Sequence, residues 1–88
     1  MDVKNLLDER EKTHGWYPYV AGAAQAMKDM MRSAPNWALL DACQRESLDM
    51  IANKLARIMY GDPDHADHWR DVAGYAMLIV DGPRDEEE

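Results

Sequence analysis

Apolar residues recur along most of this chain at intervals of three and four, the period of an α-helix, and no stretch alternates at two as a strand would. The pattern predicts an all-α chain of four helices. The first runs from Asp2, a candidate N-cap, to about Lys12, with Val3, Leu6 and Leu7 at helical spacing, and Thr13-His14-Gly15 stops it. A second is expected from Pro18 or Tyr19 to Met31, with Pro18 in its first turn and Val20, Ala23, Ala24, Met27, Met30 and Met31 on a mainly apolar face. Ser33-Ala34-Pro35-Asn36 breaks it, and Asn36 stands where a cap for the next helix is needed.

From Trp37 the periodicity predicts a long helix to Tyr60, with an irregularity between Leu40 and Ala42 where the pattern slips. Leu48, Ile51, Ala52, Leu55, Ile58 and Met59 form its buried stripe, and Gly61 ends it. After Gly61-Asp62-Pro63 a last helix is expected from about Asp64, with Trp69, Val72, Ala73, Ala76, Ile79 and Val80 facing inward. Asp81-Gly82-Pro83 closes it. The expected organisation is one domain over 1–82 and an acidic, disordered tail over 83–88.

Composition narrows the function classes. At 88 residues a single core is barely sufficient, so a homo-oligomer is expected, and the seven methionines suit irregular helical packing. The net charge of −7 argues against nucleic acid as a partner, because phosphate backbones are bound by clustered Lys and Arg. No apolar run approaches the roughly 20 residues that cross a bilayer, so no membrane partner is expected. A single cysteine, Cys43, and an N-terminus without a signal-peptide pattern make the cytoplasm the expected compartment, and Cys43 itself reads as a small packing residue.

The candidate chemistry lies on the polar backs of the last two helices. At roughly 100° per residue, Glu46, Asp49, Asn53 and Arg57 line one side of the third helix, opposite its apolar stripe, and Asp67, Asp71 and Gly74 do the same on the fourth. Such faces are ordinarily just solvated. Short carboxylates are nevertheless poor helix formers, and Gly74 in a helix interior costs about 1 kcal/mol, which predicts something close to the backbone there. Glu46 with Asp49, and Asp67 with Asp71, are spaced to aim at common points, the oxygen-rich setting that suits Mg²⁺ beside a phosphate chain. If both lines face away from the helix hairpin's own interface, they converge only in a groove completed by another helix or a second subunit.

Lys54 and Arg57 can supply positive charge for phosphates, or else pair with nearby acids. Asn53 can hydrogen-bond a sugar or base, and Trp16, Tyr17 and Tyr19 either stack on a base or anchor packing. His14, His65 and His68 lack the spacing of a zinc site.

The stretch from Gln44 to Ile58, then Gly61-Asp62-Pro63, then Asp67, Trp69, Asp71 and Ala73-Gly74-Tyr75-Ala76, resembles a family of small uncharacterised phage and prophage proteins, and Asp8-Glu9-Arg10 with Thr13-His14-Gly15 is similar to its opening segment. More distantly, the two helices resemble the all-α nucleoside triphosphate pyrophosphatases, the MazG-like superfamily. That resemblance implies Mg²⁺ held by a Glu-x-x-Glu motif and a Glu-x-x-Asp motif, and release of pyrophosphate from a nucleoside triphosphate. Glu46 and Asp49 match the first motif with Asp in its second place, and Asp71 takes the last place of the second. His68 stands where Glu is expected, and Asp67, one residue earlier, points about 100° away.

The resemblance therefore implies Glu46, Asp49 and Asp71 as catalytic, with Asp67 joining them around the metal, and Asn53, Lys54, Arg57 and Tyr75 against the substrate. The expected function is Mg²⁺-dependent nucleoside triphosphate pyrophosphohydrolysis in phage nucleotide metabolism, in the host cytoplasm. Two alternatives follow from the incomplete second motif and the acidic charge. One is a non-catalytic protein that sequesters a host signalling nucleotide. The other is a protein-binding module that inhibits a host factor.

Overall fold

The computed structural model describes residues 2–82, so the acidic tail expected at 83–88 lies outside the described residues. These residues form α1 (Val3–His14), α2 (Tyr17–Ser33), α3 (Ala42–Tyr60) and α4 (Ala66–Val80), with a 3-10 turn, Pro35–Leu39, between α2 and α3 and no strand among them. The all-α expectation holds. None of the described helices is long and apolar enough to cross a membrane.

Local chemistry sets the helix ends. Asp2 caps α1 by accepting from the Lys4 amide at 3.1 Å. The long helix expected from Trp37 is divided, because Leu40 is extended and Asp41, not Asn36, caps α3. Asp41 accepts from the Gln44 amide at 2.8 Å while Gln44 Oε1 accepts from the Asp41 amide at 2.9 Å, a reciprocal capping box. Arg45 then ties the 3-10 turn to α3, its guanidinium donating to the carbonyls of Trp37 and Ala38 at 3.2 and 3.3 Å. Before α4, Asp62 Oδ1 accepts from the Asp64 amide at 2.9 Å, and Trp69 Nε1 donates to the Pro63 carbonyl at 2.7 Å.

Helix α3 is the central element and packs against both α2 and α4. Lys54 meets Asp71, whereas Ser47 and Ile79 border one depression two turns away, so α3 and α4 run antiparallel. The apolar core is small. Val20, Ala24 and Ala56 form it with Ala23 and Met27 packed against them, and the other buried apolar residues are Ala52 and Ile58.

The buried stripe expected on α3 is only partly buried. Ala52 and Ile58 are covered, but Leu55 is exposed and Met59 is 73% exposed. The reason is that α3 is gripped on its two flanks: Ala56 sits in the cluster with α2, and Lys54, Ser47 and Ile58 are buried on the opposite flank towards α4. On α4 Val72 and Ile79 are half-buried, Ala73 and Ala76 are exposed, and Trp69 and Val80 are 53% and 74% exposed. The expected inward face is thus mostly an outward one. Nor does anything approach Gly74, where an added Cβ meets no atom within 4 Å, and Cys43 is exposed rather than packed.

Candidate functional site

The end of α1 is fastened to the α3–α4 connection by two glycines set back to back. Gly15 has φ of +90°, and a Cβ on it would lie 2.5 Å from the Tyr60 carbonyl oxygen. A Cβ on Gly61 would collide with the carbonyl of Thr13 and the backbone of His14. Both positions therefore need glycine, and for Gly61 the requirement is this close approach, since its φ of −111° is open to other residues. The Thr13 carbonyl accepts twice, from the Asp62 amide at 3.0 Å and from His68 Nε2 at 2.8 Å. His68, 2% exposed, thereby closes the junction from α4.

Fastening α1 in this way creates a groove of about 810 Å³ between α1, α2 and α3. Arg10 and His14 come to it from α1, Lys28 from α2, and Asn53 and Arg57 from α3, while the rings of Trp16 and Tyr17 stand at the α1–α2 connection. Three permanent cations border it, with Asp8 and Glu11 on the α1 side. Trp16 is held edge-on against Tyr19, ring centroids 4.8 Å apart, and remains 52% exposed. Such a groove combines charge for an oxyanion, an amide for hydrogen bonding and an open aromatic face.

His14 is the titratable group most affected by this setting. Partial burial, then the charges of Arg57, His68, Lys54 and Arg10, hold its pKa below the ordinary histidine value. Its Nδ1 is 2.6 Å from Thr13 Oγ1, and its ring meets that of His68 edge-on at 5.0 Å. The rings of His65 and His68 are 4.7 Å apart, so this neighbouring pair shares one junction with His14, which is remote from both in sequence. Among the described residues, however, no group of three or more His, Cys, Asp or Glu is arranged to hold a metal ion.

The four carboxylates expected around Mg²⁺ go to different places within one chain. Asp49 faces α2, with Arg32 at 3.5 Å, and Asp71 faces α3, with Lys54 Nζ at 3.1 Å. Asp67 is exposed and takes Arg70 at 3.0 Å, with His65 at 3.9 Å. Glu46 borders a depression of about 550 Å³ that Tyr75, Leu78 and Ile79 also line. One chain alone does not assemble a magnesium site from Glu46, Asp49, Asp67 and Asp71.

The substrate-binding residues divide in the same way. Asn53 and Arg57 line the groove with α1 and α2, Lys54 is buried against Asp71, and Tyr75 lies at the separate depression with Glu46. Arg10, Lys28 and His14 join the groove without having been singled out for it. One sign was legible: Lys28 follows Val20 and Ala24 at intervals of four, a lysine continuing a buried line of α2. No family profile, no curated protein and no solved structure matches this chain.

Proposed function

We propose that this chain binds a nucleotide in the groove between α1, α2 and α3. The observation that carries the proposal is the convergence of Arg10, Lys28 and Arg57 with the open rings of Trp16 and Tyr17 in one groove. Arginines bind phosphate oxygens through paired N–H donors and lysine adds a point charge. A base stacked on an aromatic ring gains about 1–3 kcal/mol and need not be one particular base. Asn53 stands on the groove wall one turn from Arg57, within reach of a sugar or base edge.

This reading keeps the nucleotide implied by the MazG-like resemblance and moves its seat. The phosphates meet α1 and α2 as well as α3, and the ligand is received by one chain. Calorimetry with nucleoside mono-, di- and triphosphates in the presence of a chelator tests it. Binding without metal is expected, weakened about tenfold in Arg57→Ala, which corresponds to about 1.4 kcal/mol. Absence of binding by every nucleotide contradicts it.

Pyrophosphohydrolysis is the second reading, favoured by the placing of Asp49, Asn53 and Arg57 at successive turns of α3, which sets a carboxylate beside the groove. Because the metal-binding carboxylates are dispersed within one chain, hydrolysis on this reading awaits an assembly that brings Glu46 and Asp71 to it. Release of pyrophosphate from a triphosphate in Mg²⁺ or Mn²⁺, lost in Asp49→Asn, is its expected signature.

A further inference from the structure

The face opposite the groove has no partner within the described residues. On α3, Leu55 and Met59 emerge between the flank buried with α2 and the flank buried with α4. On α4 an unbroken exposed line, Trp69, Ala73, Ala76 and Val80, repeats at three and four and carries no charge. The direction of this line follows from its neighbours: His68 and Tyr75 turn towards α1 and the depression beside Glu46, and at 100° per residue Ala76 flanks that packed face by roughly 80–100° while Ala73 lies roughly 140–160° round from it. On α2, Met30, 72% exposed, lies on the side away from Lys28 and Arg32.

Three helices therefore contribute apolar side chains to this face, a line of four from α4, two from α3 and Met30 from α2, while the interface between α3 and α4 encloses Lys54, Ser47 and His68. An 88-residue chain whose buried apolar residues include three alanines, and which fully buries no large side chain among those described, has left much of its available core outside. The side chains involved expose on the order of several hundred Å², which approaches the ~800 Å² per partner found in specific interfaces.

We infer that this face is covered by a second copy of the same chain, α4 packing on α4 and on the exposed part of α3 about a two-fold axis. The line is complementary to itself: Ala73 and Ala76 make a trough between Trp69 and Val80, so antiparallel α4 helices seat the large residues of each copy beside the small ones of the other. Its freedom from charge lets two chains that each carry −7 meet without opposing carboxylates at the contact. A differently charged protein partner would find no charge there to select it. The inference does not depend on the groove's taking a nucleotide.

The test is sedimentation of the full chain between about 1 and 200 μM, with helicity followed by circular dichroism. A dimer or a larger assembly containing it is expected, with Ala76→Arg weakening association at least tenfold. A variant that lost its helicity would not separate folding from docking, so Ala76→Cys in a Cys43→Ser background is the second measurement. Oxidation should link two copies of the folded chain through α4. A wild-type chain that stays monomeric at 200 μM overturns the inference, as does assembly unaffected by Ala76→Arg together with no cross-linking of the Ala76→Cys variant. So does a monomer that instead partitions onto lipid vesicles, which would assign the face to a membrane surface.

Discussion

The two sides of α3 are built to opposite rules. On the side of α1 and α2 the chain gathers polar groups into a groove, anchors them at the Gly15–Gly61 contact, and places Arg57, Asn53 and His14 with partners from three helices. On the other side Leu55 and Met59 lie open between α2 and α4, and the apolar line of α4 follows them into solvent. One helix can carry two tasks because its flanks, rather than its most apolar stripe, are used for intrachain packing. What remains free is a concavity bordered by cations, an amide and aromatic rings on one side and an apolar surface on the other.

The largest expected effect comes from breaking the joint that holds α1 over the groove. Gly61→Ala places a Cβ against the Thr13 carbonyl and His14 backbone, neither of which can yield as a flexible side chain can. A loss of about 3 kcal/mol is expected in urea unfolding, in the range of core overpacking. Gly22→Ala supplies the control, since its Cβ meets nothing within 4 Å, and should leave stability unchanged or raise it by up to about 1 kcal/mol.

Changing the polar side alone should separate the two regions. Arg10→Ala with Lys28→Ala is expected to abolish measurable nucleotide binding while sedimentation stays as in the wild type. Conversely, Ala76→Arg should leave nucleotide affinity within a factor of about two, since it lies away from every groove residue.

Acid acts on the polar side first, because the groove holds a histidine whose charge is disfavoured. With the His14 pKa lowered in the folded chain, the unfolded chain binds more protons as pH falls, so the stability contributed by its neutral form is complete above the ordinary histidine pKa and declines below it. Urea midpoints should therefore fall from pH 7.5 to 5.5, and less steeply in His14→Gln. An anion in the groove opposes the charges of Arg57 and Arg10, so its affinity should rise over the same interval.

The smallest effect is expected at the Lys54–Asp71 pair. Asp71 is 47% exposed and can be solvated when unpaired, so Lys54→Met should alter stability by less than about 1 kcal/mol.

Helix count and most helix ends were legible because they rest on local chemistry: Asp2 at a cap, Pro18 in a first turn, Gly15 after α1 and Gly61 after α3. The break before α3 was visible only as a slip between Leu40 and Ala42, and the cap was misplaced at Asn36 because the reciprocal bonds of Asp41 with Gln44, which fix the start of α3, were not read. Burial was harder to read. Periodicity identified the apolar stripes of α3 and α4, but it carries no statement of which chain covers them, and Lys54 and His68 were buried through partners fifteen or more residues away.

The candidate site was legible for Asn53 and Arg57, which share a helix face, and the stacking option named Trp16 and Tyr17. It was not legible for Arg10 and His14, because their meeting with Arg57 depends on the glycine contact between α1 and the end of α3, a pairing across more than forty residues, and for Lys28 the one sign was its place in line with Val20 and Ala24. The carboxylates show the converse. Glu46, Asp49, Asp67 and Asp71 share helical spacings in sequence, yet Arg32, Lys54 and Arg70 draw three of them to separate partners.

The division between the two sides is best probed by titrating isotopically labelled chain with a nucleoside triphosphate, followed residue by residue by NMR in the absence of metal. The account predicts saturable shifts at His14, Trp16, Lys28, Asn53 and Arg57, with Trp69, Ala73, Ala76 and Val80 unmoved. Shifts centred on Glu46, Asp71 and Tyr75, with the α1 and α2 residues unmoved, would contradict it.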